Sequence, residues 1–208
     1  MYTACRQELL EICRLVYDRN LTNAAGSNFS ARASATTLYM TPTGNAKHNR
    51  LHMTPDDLLL VDYAGNILEG TGRLSVSWPT HLRMYQEFDC VGAVIHAHPR
   101  VATAFACRTE PMPPLLDAMK KYGSIPVLPR QLKVDSSEFG QVIVDIFRAK
   151  GESFVKHGHA VLYPYHGILV AAPSLDDAFD LLERIEYNAS AILNSCLLSL
   201  ANINHVLE

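Results

Sequence analysis

The sequence lacks the features that mark membrane proteins, nucleic-acid-binding proteins and exported proteins. No apolar stretch approaches the ~20 residues that a membrane-spanning helix needs. Lysine and arginine total 18 against 21 acidic residues, and no basic run occurs, so no contact with nucleic acid is expected. The first residues show no basic segment followed by an apolar one, which is the pattern of a secretory signal peptide.

Cysteine is sparse and irregularly placed, which excludes a disulfide framework. The chain has five cysteines and no C-x-x-C pair. An odd number without regular spacing is typical of free thiols in a reducing compartment, and it does not suggest a zinc ribbon. We therefore expect a cytoplasmic protein. The cysteines are Cys5, Cys13, Cys90, Cys107 and Cys196.

Composition predicts one globular domain over residues 1–208. Hydrophobic residues make up 48% of the chain and charged residues 19%, which is typical of a folded protein with a full core. No linker, internal repeat or low-complexity segment interrupts the sequence. A chain of this length can bury enough apolar surface to fold as a single unit.

The hydrophobic pattern predicts clustered strands with helices between them. Apolar residues at helical spacing predict an amphipathic helix over 5–18 and a long closing helix over 175–200. Other helices are predicted over 79–87, after Pro99, over 114–122 and over 136–150. Strands are predicted over 29–33, 38–40, 58–62, 67–69, through His96, and over 125–128, 160–162 and 167–171. This order indicates an α/β or α+β fold in which helices flank one largely antiparallel sheet.

Two histidines at the end of an apolar strand suggest a metal site. His96 and His98 follow the run Val91–Ile95, and residues two apart on a strand point to the same face. His166 precedes a second apolar run and is a third candidate ligand, which we place on a second strand. Three histidines leave one coordination position open, as in catalytic zinc sites. The alternative is two unrelated surface histidines and one histidine in a turn.

Several short motifs, taken in order, give the chain a family resemblance. Together they resemble the class II aldolase/adducin family over nearly the whole chain. The resemblance implies a three-layer α/β/α fold, a homotetramer with active sites between subunits, and Zn²⁺ held by His96, His98 and His166. The motifs are Gly26–Arg32, Thr41–Gly44, Glu69–Gly70, Trp78–His81, Val94–Pro99, His166–Val170 and Asp177–Glu186.

The same resemblance implies a substrate-phosphate site at Asn28, Thr43, Gly44 and Ser75. Backbone amides in glycine-containing turns and short polar side chains can surround an anion without a large positive charge. The alternative is that these segments are ordinary turns, since Gly, Asn, Ser and Thr dominate turns. The chain departs from the family pattern at Ser27, where a glycine is usual, and at Val76, which replaces a second serine.

The largest departure from the family is Ser77, which stands where the resemblance implies an acidic general base. A carboxylate can remove a proton next to a metal-polarised carbonyl, whereas a serine hydroxyl cannot do so at neutral pH. The position also suits the N-cap of the helix that begins near Pro79. The base could instead be hydroxide on the metal or a neighbouring subunit's residue, with Asp117, Tyr122 and Arg130 as candidates.

The resemblance and the residues that carry it imply a zinc-dependent aldolase that acts on a small phosphorylated ketose and releases dihydroxyacetone phosphate and an aldehyde. The alternatives are a sugar-phosphate epimerase or decarboxylase of the same family, or a catalytically silent metal-binding relative, because Ser77 replaces the acidic base. No nucleic acid or membrane partner is expected.

Other histidines receive weaker interpretations. The segment Lys156–His159 is predicted to be an exposed loop, and His48 and His52 are predicted to face solvent. His81 is either a residue that orients a group near the metal or a core histidine.

Overall fold

One seven-stranded antiparallel sheet forms the centre of the molecule. The computed structural model describes residues 2–108, 110–129, 132–133 and 136–201. The strands lie in the order β4-β3-β2-β1-β5-β7-β6, and each neighbouring pair is antiparallel. Their bounds are β1 Asn28–Arg32, β2 Thr37–Met40, β3 Leu59–Asp62, β4 Ile67–Glu69, β5 Ala93–Ala97, β6 His159–Tyr163 and β7 Gly167–Ala172.

The described helices pack on both faces of this sheet. Helices α1, α4 and α7 share one hydrophobic cluster with the sheet, and α3, α5 and α6 share the other. None of the described helices is long and apolar enough to cross a bilayer. Their bounds are α1 Tyr2–Asp18, α2 Asn45–Asn49, α3 Trp78–Glu87, α4 Arg100–Ala106, α5 Ser137–Arg148, α6 Glu152–His157 and α7 Leu175–Leu200.

Side chains along the central strand β5 point alternately to the two helix layers on either side of the sheet. Ala93, Ile95 and Ala97 belong to the cluster beneath α1, α4 and α7, whereas Val94 belongs to the opposite cluster. Because successive side chains on a strand point to opposite faces, His96 projects toward the side that carries α3 and α5. The predicted α/β class with a central antiparallel sheet is confirmed, and helices cover both faces of the sheet.

The prediction of a helix over 114–122 is wrong. Only a 3₁₀ turn forms there, at Asp117–Met119. The side chain of Asn188 in α7 accepts a hydrogen bond from the Leu116 amide at 3.0 Å and donates one to the Pro113 carbonyl at 2.9 Å. These contacts with a distant buried residue hold the backbone in an extended conformation that local propensity does not predict.

The predicted strand over 125–128 is present only as isolated bridges. Ile125 pairs with Met112, and Val127 pairs with Leu162 at the edge of the sheet. Helices α2 and α6 were not predicted, because each is too short to show a helical period in its apolar residues.

The prediction of an exposed loop over Lys156–His159 is also wrong. Helix α6 ends at His157, and His159 is the first residue of β6, with only 1% of its surface exposed. The Phe147 ring packs 5.6 Å from the His159 ring, centroid to centroid. Burial, with a smaller effect from Lys150, lowers the pKa of His159 to about 3.

We predict that the protein loses stability in mild acid. Burial also lowers the pKa of His81 to about 3, so the folded state holds both imidazoles neutral where the unfolded chain protonates them. The unfolded state binds more protons below about pH 6.5, so the free energy of unfolding falls by about 1.4 kcal/mol per pH unit for each group. Urea titrations between about pH 7 and pH 5 measure this slope.

The variant His159→Leu isolates one of these two contributions. Its slope should be smaller than that of the parent by about one proton. Equal slopes in the two proteins would contradict the assignment of His159 as a buried neutral imidazole.

Candidate metal centre and substrate cleft

A cleft of about 520 Å³ opens where β1 and β5 lie side by side, next to the β6–β7 turn. The cleft is lined by residues that were predicted from separate segments of the sequence. All eight predicted site residues line it: Asn28, Thr43, Gly44, Ser75, Ser77, His96, His98 and His166.

The three histidines reach the cleft from two adjoining segments. His96 lies in β5, and His98 follows that strand directly. His166 lies in the turn between β6 and β7, so the prediction that it sits on a second strand is wrong. Tyr165 has a left-handed φ of 58° in this turn, and the His166 amide donates to the Tyr163 carbonyl at 3.1 Å. The tight turn brings His166 next to the end of β5.

The imidazole nitrogens converge as metal ligands do. Nε2 of His166 lies 3.0 Å from Nε2 of His96 and 3.3 Å from Nε2 of His98. A tetrahedral centre with bonds of ~2.05 Å places its ligand atoms about 3.3 Å apart. Nδ1 of His96 lies 2.9 Å from the Ile168 carbonyl, which fixes the proton on Nδ1 and leaves the Nε2 lone pair free.

All three imidazoles are held neutral, which is the form that binds a metal. Burial lowers the pKa of His96 well below its usual value, and the neighbouring His98 and His166 lower it further. Burial and His166 lower the pKa of His98 to about 4, and burial lowers the pKa of His166. The three donors therefore fit a divalent metal ion in position and charge, since all lie within 4.8 Å of one another.

Gly167 permits the close approach of these histidines. The sequence analysis did not predict this role for Gly167. A Cβ atom at this position would lie 2.4 Å from the Ala97 carbonyl oxygen and 2.6 Å from Cδ2 of His98. Both distances are far shorter than van der Waals contact, and the first is to backbone that cannot move freely. The glycine directly after His166 was the only signal in the sequence.

We predict that Gly167→Ala weakens metal binding by on the order of tenfold, similar to the loss of a group that orients a ligand. The added methyl group would push His98 and the end of β5 away from His166. Competition with a chromophoric chelator measures the change. Gly140→Ala is the control, because Gly140 lies in α5 outside the described cleft lining and its added Cβ would meet only the flexible side chain of Arg83. Equal affinity in Gly167→Ala and the parent would contradict this role.

Glu186 fixes the segment that follows His98. Its carboxylate, on α7, accepts hydrogen bonds from the amides of Val101 and Ala102, each with a shortest distance of 2.8 Å. Those amides belong to the first turn of α4 and would otherwise lack partners. The sequence placed Glu186 in a family motif without a role, and the structure shows it joining α7 to the chain beside His98.

The predicted anion-binding residues line the other part of the cleft. Gly44 has a φ of 88°, which glycine adopts without strain. The Thr43 amide donates to the Arg73 carbonyl at 2.9 Å, so Thr43 has only its hydroxyl to offer to an anion. Val76 is 70% exposed and places an apolar side chain where the family resemblance implies a second serine.

Lys47 adds a positive charge that the sequence reasoning missed. It follows Gly44 by three residues and lines the same cleft. Among the described residues, the lining contains no aspartate or glutamate. One lysine and a metal ion without an opposing carboxylate would favour an anionic ligand.

Ser77 occupies the N-cap position of α3, as predicted, but its hydroxyl does not cap the helix. Instead, Oγ donates to Oδ1 of Asn28 at 3.0 Å and lies 3.1 Å from Oγ of Ser75. The described cleft therefore contains no carboxylate at this position or at any other.

None of the other predicted residues that the structure describes lines the cleft. Nδ1 of His81 is 2.7 Å from Oγ of Ser30, and the ring is fully buried, so it is a core histidine. His48 and His52 are exposed, as predicted. Asp117 and Tyr122 do not line the cleft, and Arg130 lies outside the described residues.

Comparison with known proteins agrees with the fold and the motifs. The sequence profile of the class II aldolase and adducin N-terminal domain matches residues 7–193. The chain belongs to the class II aldolase/adducin family. It is 27% identical to a solved L-fuculose 1-phosphate aldolase, with a TM-score of 0.75 over 97% of this chain and 88% of that one.

Two curated relatives match a shorter segment. The L-fuculose phosphate aldolase of Methanococcus maripaludis is 38% identical over 101 residues, covering 48% of this chain and 52% of that protein. The methylthioribulose-1-phosphate dehydratase of Pseudomonas savastanoi is 38% identical over 99 residues, covering 48% and 47%. The chain therefore aligns with about half the length of these relatives.

Proposed function

We propose that this chain is a metal-dependent lyase that cleaves a small phosphorylated ketose to dihydroxyacetone phosphate and an aldehyde. One observation carries the proposal: three neutral histidine nitrogens converge beside a cleft that has a lysine and no carboxylate in its described lining. A metal–ligand set with an open position and an adjoining anion site is what this chemistry requires.

In this proposal, His96, His98 and His166 hold Zn²⁺, which would supply Lewis-acid polarisation of the substrate carbonyl. Asn28, Thr43, Gly44 and Ser75 bind the phosphate, and Lys47 adds charge to that end of the cleft. Anchoring the phosphate fixes the distance between the phosphate and the metal site, and so orients the bond that breaks.

A second candidate follows from the lack of a carboxylate. Without an acid at position 77, the described lining of the cleft has no carboxylate to move the proton that aldol cleavage requires. The chain could instead act as an epimerase, a decarboxylase or a silent metal-binding relative. The dehydratase among its relatives adds water elimination from a sugar phosphate to these alternatives.

The proposal is tested with the zinc-loaded full chain and a panel of phosphorylated ketoses. Release of dihydroxyacetone phosphate is measured by a coupled reduction, and epimers, carbon dioxide and dehydrated products are measured by mass spectrometry and NMR. Metal-dependent release of dihydroxyacetone phosphate would support the lyase. Turnover to another product alone would replace it, and no turnover of any substrate would favour a silent relative.

We also propose a homotetramer in the cytoplasm. The last turns of α7 expose four leucines, with Leu193 at 44% and Leu200 at 82%, which is more apolar surface than a single helix leaves in water. A closed symmetric assembly would cover this surface. We predict a mass of about four chains by light scattering at micromolar concentration. A stable monomer would contradict the tetramer and any base supplied by a neighbouring subunit.

A further inference from the structure

A short chain of hydrogen bonds joins the loop before α3 to the start of β1. Oγ of Ser75 accepts from the Ser77 amide at 3.5 Å and lies 3.1 Å from Oγ of Ser77. Oγ of Ser77 in turn donates to Oδ1 of Asn28 at 3.0 Å. With Ser77 donating to Asn28, the Ser75 hydroxyl can donate either to Ser77 or, once an anion is bound, to that anion.

The side-chain amide of Asn28 is the last group in this series of hydrogen bonds, and its position is well defined. Asn28 is 7% exposed and Ser77 is 5% exposed, so neither side chain moves freely. Asn28 also pairs directly with His96 across the β1–β5 ladder. Its side chain therefore lies on the same face of the sheet as His96, and both residues line the cleft.

The orientation of this side-chain amide determines whether Asn28 itself attracts or repels an anion. An asparagine amide has an acceptor end, Oδ1, and a donor end, Nδ2 with two protons. When Oδ1 is bonded to Ser77, the donor end remains for a ligand. The opposite orientation would turn Oδ1 toward the ligand and repel an anion. A hydroxyl that donates to Oδ1 stabilises the orientation that suits an anionic ligand.

We propose that Ser77 is a positioning residue that holds the Asn28 amide with its Nδ2 donors facing the anionic group of the substrate. This proposal rests on the proposed function, because it assumes that the cleft binds a phosphate. It gives position 77 a role in substrate binding in place of proton transfer.

The test compares two substitutions of nearly equal shape. Ser77→Thr keeps a hydroxyl and Ser77→Val removes it, while Ser174→Ala removes a hydroxyl that caps α7 outside the described cleft lining. The zinc-loaded full chain is titrated with inorganic phosphate by calorimetry. We expect Ser77→Val to raise the dissociation constant about three- to tenfold, the effect of losing one hydrogen bond. Ser77→Thr and Ser174→Ala should stay within about twofold of the parent.

A second measurement separates positioning from general loss of structure. In protein labelled with ¹⁵N-asparagine, the two Nδ2 protons of Asn28 should shift on adding phosphate to the parent and to Ser77→Thr. They should shift little in Ser77→Val, because the amide is no longer held in one orientation. If Ser77→Val does not fold, Ser77→Ala gives the same comparison with a smaller side chain.

The outcomes distinguish this proposal from the proposed function. If the parent binds phosphate and Ser77→Val binds it equally, with the same Asn28 shifts, the positioning role is overturned and the proposed function stands. If the parent does not bind phosphate and the Asn28 protons do not respond, the phosphate site of the proposed function fails as well.

Discussion

Replacing His96 or His98 with alanine is expected to abolish tight metal binding. Nε2 of His166 lies 3.0 and 3.3 Å from the other two Nε2 atoms, so removing one histidine leaves two donors for an ion that needs at least three from the protein. Loss of a group that merely orients a ligand costs about 10–100-fold in affinity, and loss of a ligand should cost more. Elemental analysis of protein purified without chelator should find close to one metal per chain in the parent and almost none in either variant.

His52→Ala is the matched control for these variants. His52 is exposed and lies 3.8 Å from the Asp18 carboxylate, outside the described cleft lining. Its metal content should equal that of the parent. If His96→Ala and His98→Ala retain as much metal as His52→Ala, the proposed ligand set is wrong.

Ser77→Glu is expected to increase proton exchange at the α-carbon of dihydroxyacetone phosphate by about 10²–10⁴-fold, the usual contribution of a placed general base. The new carboxylate would enter a cleft that has none in its described lining. Stability should change little at the helix start, because the Ser77 hydroxyl does not cap α3. Binding of phosphate should weaken, because the new side chain cannot donate to Oδ1 of Asn28.

Deuterium wash-in at that carbon measures the exchange, with metal content matched between proteins. Ser77→Gln is the control, since it has nearly the same shape without a base. A gain in Ser77→Glu alone would mean that the parent lacks its base. Fast exchange in the parent and both variants would mean that another group already acts as the general base. No exchange in any of the three proteins would count against aldol chemistry.

Much of the fold could be predicted because its main elements are long or strongly patterned. The helices over 2–18 and 175–200 each show several turns of apolar periodicity, and the strand through His96 is a compact apolar run. The extended segment before Asp117 could not be predicted, since it depends on Asn188, 72 residues from Leu116. The buried position of His159 likewise depends on contact between β6 and α5, including the Phe147 ring, which a polar tetrad in the sequence does not indicate.

The candidate site likewise has residues that could be predicted from the sequence and residues that could not. The predicted histidines and polar residues meet in one cleft. They could be predicted because each stands in a motif whose order in the chain can be compared with a family pattern. Lys47, Gly167 and the contact between Ser77 and Asn28 were missed. Each matters because it lies close in space to residues that are remote in the sequence, and no local pattern predicts such a contact.

The most direct test is a crystal structure of the zinc-loaded protein with dihydroxyacetone phosphate, recorded at the zinc absorption edge. We predict one anomalous peak per chain about 2.0–2.1 Å from Nε2 of His96, His98 and His166. We also predict phosphate density in the same cleft, within hydrogen-bond distance of Asn28 and Thr43. A metal peak elsewhere, or a phosphate bound outside this cleft, would contradict the proposal that these residues form the active site of a sugar-phosphate lyase.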